Sequence, residues 1–276
     1  MRWFKLLLVV LIAFGIYSFR DYLIEGLHYT TTLGPKLLPA TALVGLSMFS
    51  YILRMSFIVR KSGGDISIKD CIKAVMVSFT AVLSIVKVGV GIVVYYLTRK
   101  GLLLSQAVTY YIWDRASHVV ATTVIGIFVL GSWNVIGGLS GLGAIMALAI
   151  VGLILGKVKL EALEDFQPTL KRLVGVKTVF WLLLLSTINI VVDSGALALL
   201  TGAGWKSAMA GVLVGNMMIW ASPVPGGLGL YEAAVPLALI AGGVERAAAI
   251  GGVLAYRLLS LWVPALLGVA ILHREL

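Results

Sequence analysis

Runs of about 20 apolar residues recur along almost the whole chain and limit it to one class of fold. A helix of that length crosses the hydrocarbon core of a bilayer. Six runs qualify, at residues 3–19, 37–59, 105–130, 135–156, 178–200 and 246–272. Only 12% of the residues are charged, whereas a soluble domain carries about 25%. We therefore predict an all-α, polytopic integral membrane bundle with no sizeable water-soluble domain.

The N-terminus resembles a secretory signal but lacks a cleavage site. Arg2 and Lys5 precede the first apolar run, as in a signal peptide, and no small-x-small sequence follows it. We predict an uncleaved signal anchor. The whole chain, 1–276, is then one transmembrane domain, with the anchor helix and an outer loop at 1–36 and the core at 37–276.

The distribution of Lys and Arg indicates how two less regular apolar regions, 74–97 and 206–242, sit in the membrane. Cytoplasmic loops carry an excess of these residues. If 74–97 crossed once, Arg99, Lys100 and the basic 157–177 loop would lie outside. If both regions are re-entrant helical hairpins that enter from opposite faces, these clusters become cytoplasmic. We predict six full spans, two hairpins and a cytoplasmic membrane location with both termini in the cytoplasm.

Each predicted hairpin contains residues that interrupt a helix, because proline removes a backbone donor and glycine lowers helix stability. In the first hairpin they lie in the 87–91 stretch, Lys-Val-Gly-Val-Gly. In the second they are Pro223, Pro225, Gly226, Gly227 and Gly229. Unwound backbone at membrane depth occurs where protein or a wet cavity covers it. We therefore expect the two breaks to border a polar cavity.

Charged residues within apolar segments are the candidate functional residues, because a charge is costly inside a membrane. The candidate substrate-binding residues are Arg115, Arg257, Glu232, Asp114 and Lys87. Glu232 follows the second break, where it can face a helix N-terminus or hold an arginine. Three acids, one of them Asp193, balance three cations, so a free cation requires one acid to be protonated or directed elsewhere. Arg54 lies near the end of its segment, and we expect it to reach toward the interface.

Several other functions are disfavoured. The net charge of +10 comes from short clusters between apolar runs, as in loops near anionic lipid, so no nucleic acid partner is expected. Cys71 is the only cysteine, which excludes an intrachain disulfide. The sequence holds no HExxH, GxSxG or P-loop motif, and we predict no catalytic residue, no metal and no cofactor. Asp114 and His118, spaced i, i+4, form the single general-base candidate for a less favoured lipid transferase.

The 222–234 stretch, Ser-Pro-Val-Pro-Gly-Gly-Leu-Gly-Leu-Tyr-Glu-Ala-Ala, is specific enough to compare with known families. It resembles the signature of the flippase-like family that includes the membrane region of lysylphosphatidylglycerol synthases. The 97–105 stretch before Asp114 and Arg115 is also similar, as is the Ala-Tyr-Arg sequence ending at Arg257, so the resemblance covers the chain from about residue 40 onward. The first hairpin departs from the family, because it lacks the usual Pro-Gly-x-x-Gly-Glu stretch.

The resemblance implies that the chain moves or handles polar lipids. We predict a lipid translocase in which Arg115 and Arg257 contact an anionic or lipid-linked headgroup and Glu232 orders them. The synthases' soluble aminoacyltransferase domain is not found here, so we do not expect an enzyme. The expected partners are anionic membrane lipids and a separate lipid-modifying enzyme. The alternative function is a non-catalytic accessory subunit that scaffolds such an enzyme or a glycosyltransferase through the 157–177 loop.

Overall fold

The computed structural model describes residues 20–82, 89–130, 166–221 and 225–275, and the regular elements within these ranges are helices. In chain order they are α1 (Arg20–Thr31), α2 (Gly34–Lys61), α3 (Ile68–Val82), α4 (Gly89–Arg99), α5 (Leu104–Leu130), α6 (Phe166–Lys171), α7 (Val176–Thr201), α8 (Trp205–Ala221), α9 (Leu230–Ala241), α10 (Arg246–Arg257) and α11 (Val263–Glu275). A π-helical turn, Leu258–Trp262, joins α10 to α11. The predicted spans at 3–19 and 135–156 lie outside the described residues.

Four helices of the described ranges are long and apolar enough to cross a membrane. They are Gly34–Lys61, Leu104–Val129, Val176–Thr201 and the continuous Arg246–Glu275. Each coincides with one of the apolar runs picked out in the sequence. The prediction of an all-α, multi-pass membrane protein is therefore confirmed.

Helices α2 and α7 form the central antiparallel pair of the bundle. Their contact surface is rich in small polar side chains, which let helix backbones approach closely and bond across the interface. Ser50 Oγ donates a hydrogen bond to the Leu185 carbonyl at 2.8 Å. Asn189 Nδ2 donates to Ser47 Oγ at 2.5 Å. These bonds fix the register of the two helices that carry much of the site described below.

Basic residues gather at one end of the bundle, which we call the basic end. The Glu275 carboxylate, at the end of α11, contacts Lys73 near the start of α3 and Lys100 just after α4, the latter at 2.7 Å. Arg172 Nη1, just before α7, donates to the Ser62 carbonyl at the end of α2 at 3.4 Å. The contacts therefore place the ends of α2, α4 and α11 beside the starts of α3 and α7.

In each of two pairs of shorter helices, the start of the first helix and the end of the second helix lie at the same end of the bundle. Helices α3 and α4 have 15 and 11 residues, fewer than the roughly 20 needed to span. They pack together, and Lys100 lies 3.6 Å from Asp70 at the start of α3. Helices α8 and α9 have 17 and 12 residues. Ser207 Oγ, near the start of α8, donates to the Gly242 carbonyl after α9 at 3.1 Å, at the end of the bundle opposite the basic end.

The turn between α8 and α9 lies where the sequence predicts a break. Gly226, Gly227 and Gly229 have φ of 63°, 66° and 82°, a left-handed conformation that costs other residues about 1–2 kcal/mol. Pro225–Gly227 forms a single 3₁₀ turn, while Pro223 lies outside the described residues. A Cβ added at Gly226 would lie 3.3 Å from Val82 Cγ1. The turn of the second helix pair therefore meets the end of α3 in the first pair.

Two expectations are only partly met. The predicted break at 87–91 coincides with the start of α4, because Gly89 is its first residue and Gly91 lies in its first turn. A helical glycine costs only about 1 kcal/mol, and burial of the apolar residues Val93 and Leu97 offsets that cost. Lys87 lies outside the described residues. The outer loop expected up to residue 36 contains α1, which packs against α10.

Candidate functional site

A cavity of about 100 Å³ lies inside the bundle, with walls from α2, α3, α5, α7, α8, α9, α10 and the π-helical turn. This volume has room for several water molecules. Its charged lining residues are Asp114, Arg115, Asp193 and Arg257. Its tyrosines are Tyr51, Tyr110, Tyr231 and Tyr256. A polar cavity therefore lies between helices that are otherwise apolar, next to Val82, where the two short helix pairs meet.

The structure brings most of the predicted site residues to this cavity. Asp114, Arg115 and Arg257 line it, although Arg257 is 142 positions from Arg115 in the chain. Glu232 approaches from the first turn of α9 and contacts Arg257. Lys87, the fifth predicted residue, lies outside the described residues. Four charges predicted from three apolar segments thus lie at or beside one cavity.

Arg257 is held firmly in the wall of the cavity. Its Nε donates to Glu232 Oε1 at 2.8 Å, and its Nη2 donates to the Gly226 carbonyl at 2.8 Å. Its guanidinium carbon lies 4.3 Å from the centre of the Tyr231 ring, within the range of a cation–π contact. Only 5% of the side chain is exposed. Arg257 therefore fastens α10 to the glycine turn and has little freedom to move toward a ligand.

Glu232 combines the two roles that its position in the sequence allows. Its Oε2 accepts a hydrogen bond from the Gly229 amide at 2.8 Å, which satisfies a donor at the start of α9. Its Oε1 accepts from Arg257. The same carboxylate therefore stabilises the helix N-terminus and orients the arginine.

Arg54 does not reach toward the interface, and that expectation is wrong. Its side chain is fully buried, and Nε donates to Asp114 Oδ1 at 2.7 Å. Nη2 lies 2.7 Å from the same oxygen as an ion-pair contact without hydrogen-bond alignment. Nη1 donates to Ser186 Oγ at 2.9 Å. The guanidinium stays inside because Asp114 from α5 and Ser186 from α7 supply partners there, which position along one helix cannot reveal.

The burial of Arg54 changes the charge balance around Arg115. Asp114 is already paired, and Arg115 Nε lies 3.7 Å from its second oxygen, Oδ2. In the described part of the chain this Nε has no hydrogen-bond partner. The Arg115 side chain is 35% exposed and lines the cavity. Arg115 is therefore a cation whose nearest acid is shared with a closer arginine.

The Asp114–His118 pair expected for a lipid transferase is not formed. Asp114 accepts from Arg54, whereas His118 packs edge-on against Trp220 of α8 and its Nδ1 has no hydrogen-bond partner among the described residues. In the described ranges, no group of three His, Cys, Asp or Glu residues is arranged to hold a metal ion.

Several cavity residues were not assigned a role from the sequence. Asp193 was only a balancing acid, yet it lines the cavity beside Ser47 and Tyr256. A usable signal existed, because Asn189 and Asp193, like Ser47 and Tyr51, are polar residues four positions apart on apolar helices. Such spacing places both members on one helix face. It does not say which face of which neighbouring helix they meet.

Comparison with known families gives one match. The family described as "Lysylphosphatidylglycerol synthase TM region" matches residues 2–268, and so includes the N-terminal segment as well as the helices around the cavity. A search of curated proteins found no match. The resemblance first seen in the 222–234 stretch is confirmed over nearly the whole chain.

Proposed function

Because the chain belongs to the lysylphosphatidylglycerol synthase TM region family, we propose that it is a lipid translocase whose cavity receives an anionic headgroup. One observation carries the proposal. Arg115 lines a cavity inside the membrane bundle, and its nearest carboxylate, Asp114, is already paired with the fully buried Arg54. A cation in this setting is costly, and a phosphate-bearing headgroup is a suitable counter-charge.

The two arginines predicted to contact the headgroup take different parts in this proposal. Arg115 is the direct contact, because its side chain is partly exposed and lines the cavity, while its buried Nε has no hydrogen-bond partner among the described residues. Arg257 and Glu232 hold the glycine turn and the Tyr231 ring in place. Glu232 is therefore a positioning residue, and the site is built around the break between α8 and α9.

The proposal includes a membrane topology. The pairs α3–α4 and α8–α9 are re-entrant hairpins that enter from opposite faces, and the basic end is cytoplasmic. Support comes from helices too short to span, from the contacts of Lys100 with Asp70 and Ser207 with Gly242, and from the positive charge at one end. The end of α3 meets the glycine turn at Val82 and Gly226, which is consistent with two helix pairs that come together beside the cavity.

The accessory-subunit alternative stays a prediction. The same holds for the expectation that the chain has no enzymatic activity and for the expectation that it has a partner enzyme. The charged cavity favours the translocase, because a scaffold would act through its surface and has no need of buried charge.

Reconstitution of the purified chain in liposomes tests the proposal. Phosphatidylglycerol with a nitrobenzoxadiazole label on one acyl chain keeps its headgroup intact, and dithionite bleaches only the label in the outer leaflet. We expect the wild type to make nearly all of the label accessible within the assay. We expect Arg115→Gln to slow the movement at least about tenfold, since a hydrogen bond to a charged group contributes about 1.5–3 kcal/mol.

Arg60→Gln is the matched control, because Arg60 is an exposed arginine in the last turn of α2. It should move lipid at the wild-type rate. Equal rates for Arg115→Gln and wild type, with equal amounts of folded protein, would contradict the assignment of Arg115. A wild type that moves no lipid at any pH or lipid composition would favour the accessory role.

A further inference from the structure

Asp193 has a carboxyl group in the cavity whose polar neighbours are hydroxyl groups rather than a cation. It lies on α7, is partly buried and lines the cavity. The hydroxyl groups of Ser47 on α2 and Tyr256 on α10 are its polar neighbours in the cavity wall. Among the described residues, no Lys or Arg lies within 4.0 Å of its carboxylate. Asp114 and Glu232 differ from it in this respect, because each has a close arginine.

The surroundings of Asp193 accept either protonation state of the carboxyl group. Asn189 Nδ2 donates to Ser47 Oγ at 2.5 Å, so the Ser47 hydroxyl hydrogen is available to Asp193. A hydroxyl group can donate to a carboxylate or accept from a protonated carboxyl. The Ser47 and Tyr256 hydroxyl groups can therefore donate to the ionised carboxylate and accept from the protonated carboxyl group, without movement of the helices.

Other titratable groups near Asp193 do not replace the missing cation. The groups that interact with it electrostatically are Tyr51 on α2, Tyr231 on α9 and Tyr256 on α10. Those that share the cavity wall are Tyr110, Asp114 and Arg115 on α5 and Arg257 on α10. Tyrosines are neutral near pH 7, Arg257 is bonded to Glu232, and Arg115 lies nearest to Asp114.

We propose that Asp193 is a proton-binding site coupled to the headgroup site, so that the cavity takes up an anionic headgroup and a proton together. This inference rests on the proposed function. A negative headgroup near an ionised Asp193 is repelled, whereas a neutral carboxyl removes that repulsion. The effect is reciprocal: proton binding raises the affinity for the headgroup by the same factor by which headgroup binding raises the affinity for the proton. Intramembrane acids serve as proton relays in many pumps and transporters. Joint uptake lets a proton gradient bias the direction of lipid movement.

Binding of a short-chain lipid at two pH values tests the coupling. The probe is dihexanoyl phosphatidylglycerol, titrated into the purified full chain in a nonionic detergent. We expect wild type to bind it about tenfold more tightly at pH 5 than at pH 8, a coupling within the usual range. Asp193→Asn, which mimics the neutral carboxyl, should bind tightly at both pH values. Asp65→Asn removes an exposed acid and should behave as wild type.

Calorimetry in two buffers of different ionisation enthalpy counts the protons taken up with the lipid. At the midpoint of the pH dependence the wild type should take up about half a proton per lipid, the largest uptake that a tenfold coupling to one group allows, and Asp193→Asn none. Tyr256→Phe is a second variant, which removes a hydroxyl group that can donate to the ionised carboxylate more strongly than it accepts from the protonated form. It should move the midpoint of the pH dependence to higher pH, a change that a merely structural defect would not produce.

The outcomes separate the inference from the proposed function. If lipid binding needs Arg115 but keeps its full pH dependence and proton uptake in Asp193→Asn, the role of Asp193 is wrong and the translocase proposal stands. If wild type does not prefer dihexanoyl phosphatidylglycerol to uncharged dihexanoylglycerol at either pH, both are wrong. Inorganic phosphate at the same concentration should compete only weakly, and competition equal to that of the lipid would overturn the assignment to a lipid headgroup.

Discussion

Replacing Arg54 with methionine should cost far more stability than the same change at Arg115. Arg54 is fully buried and holds Asp114, which is itself 4% exposed. Removal of one partner of a buried ion pair costs about 3–5 kcal/mol. We place Arg54→Met near the lower end, about 3 kcal/mol, because Arg115 lies 3.7 Å from the other Asp114 oxygen and partly compensates. Arg115→Met should cost less than about 1 kcal/mol, as weak, partly exposed pairs do.

Equilibrium unfolding in mixed micelles of a nonionic detergent and dodecyl sulfate measures these free energies. The double variant Arg54→Met/Asp114→Asn completes a thermodynamic cycle. Because the second change removes the acid left without its partner, the double variant should cost less than the sum of the single changes. The expected coupling is about 2 kcal/mol, within the range for residues in contact.

Two results would refute this reasoning. One is a cost for Arg115→Met equal to that of Arg54→Met, which would mean that Asp114 relies on both arginines equally. The other is additivity of Arg54→Met and Asp114→Asn, which would mean that the buried pair does not exist in the membrane protein.

Further predictions concern the glycine turn and the basic end. Gly227→Ala should lower the free energy of unfolding by about 1–2 kcal/mol, because φ is +66° and the new Cβ would lie 3.1 Å from Ile219 Cα. In the control Gly45→Ala the new Cβ enters open space, and the change should stabilise α2 by about 0.5–1 kcal/mol. Glu275→Gln should speed amide hydrogen exchange near the start of α3 while changing overall stability by less than about 1 kcal/mol, and unchanged exchange would contradict the docking role of Glu275. The hydrogen bond to Glu275 raises the pKa of Lys100. The contact between the two side chains therefore stabilises the fold fully below the ordinary lysine pKa, and this stabilisation is lost as pH rises through the raised pKa. In Glu275→Gln this alkaline loss should disappear from the unfolding curves.

The spans and the second break could be predicted because their causes are local. A helix such as α7 is recognisable by its length and apolar composition. The break at 225–229 is recognisable by its proline and glycines. Of the glycines of the first break, Gly89 is the first residue of α4, but Gly91 lies within that helix. A weak helix former stops a helix only if nearby burial does not offset it, and burial is a property of the packed bundle.

The charge partners could not be predicted from the sequence. Arg54 and Asp114 are 60 positions apart, and their pairing depends on how α2 meets α5. Sequence position suggested that Arg54 would leave the membrane, and this removed it from the charge balance. The correction matters for function, because Asp114 is then paired with Arg54, and Arg115 is the cation of the cavity whose nearest carboxylate is already engaged. The sequence also did not show that Asp193 lies beside hydroxyl groups rather than a cation, since Ser47 and Tyr256 lie on other helices.

Photocrosslinking from the headgroup tests the central claim most directly, namely that an anionic headgroup enters the cavity beside Arg115. Phosphatidylglycerol with a diazirine on its glycerol headgroup is incorporated with the chain in liposomes and irradiated, and the modified peptides are mapped by mass spectrometry. The account predicts crosslinks to cavity residues such as Tyr51, Asn216 and Tyr256, and their loss in Arg115→Gln. Crosslinks confined to outward-facing side chains such as Phe128, which is 83% exposed, would contradict it.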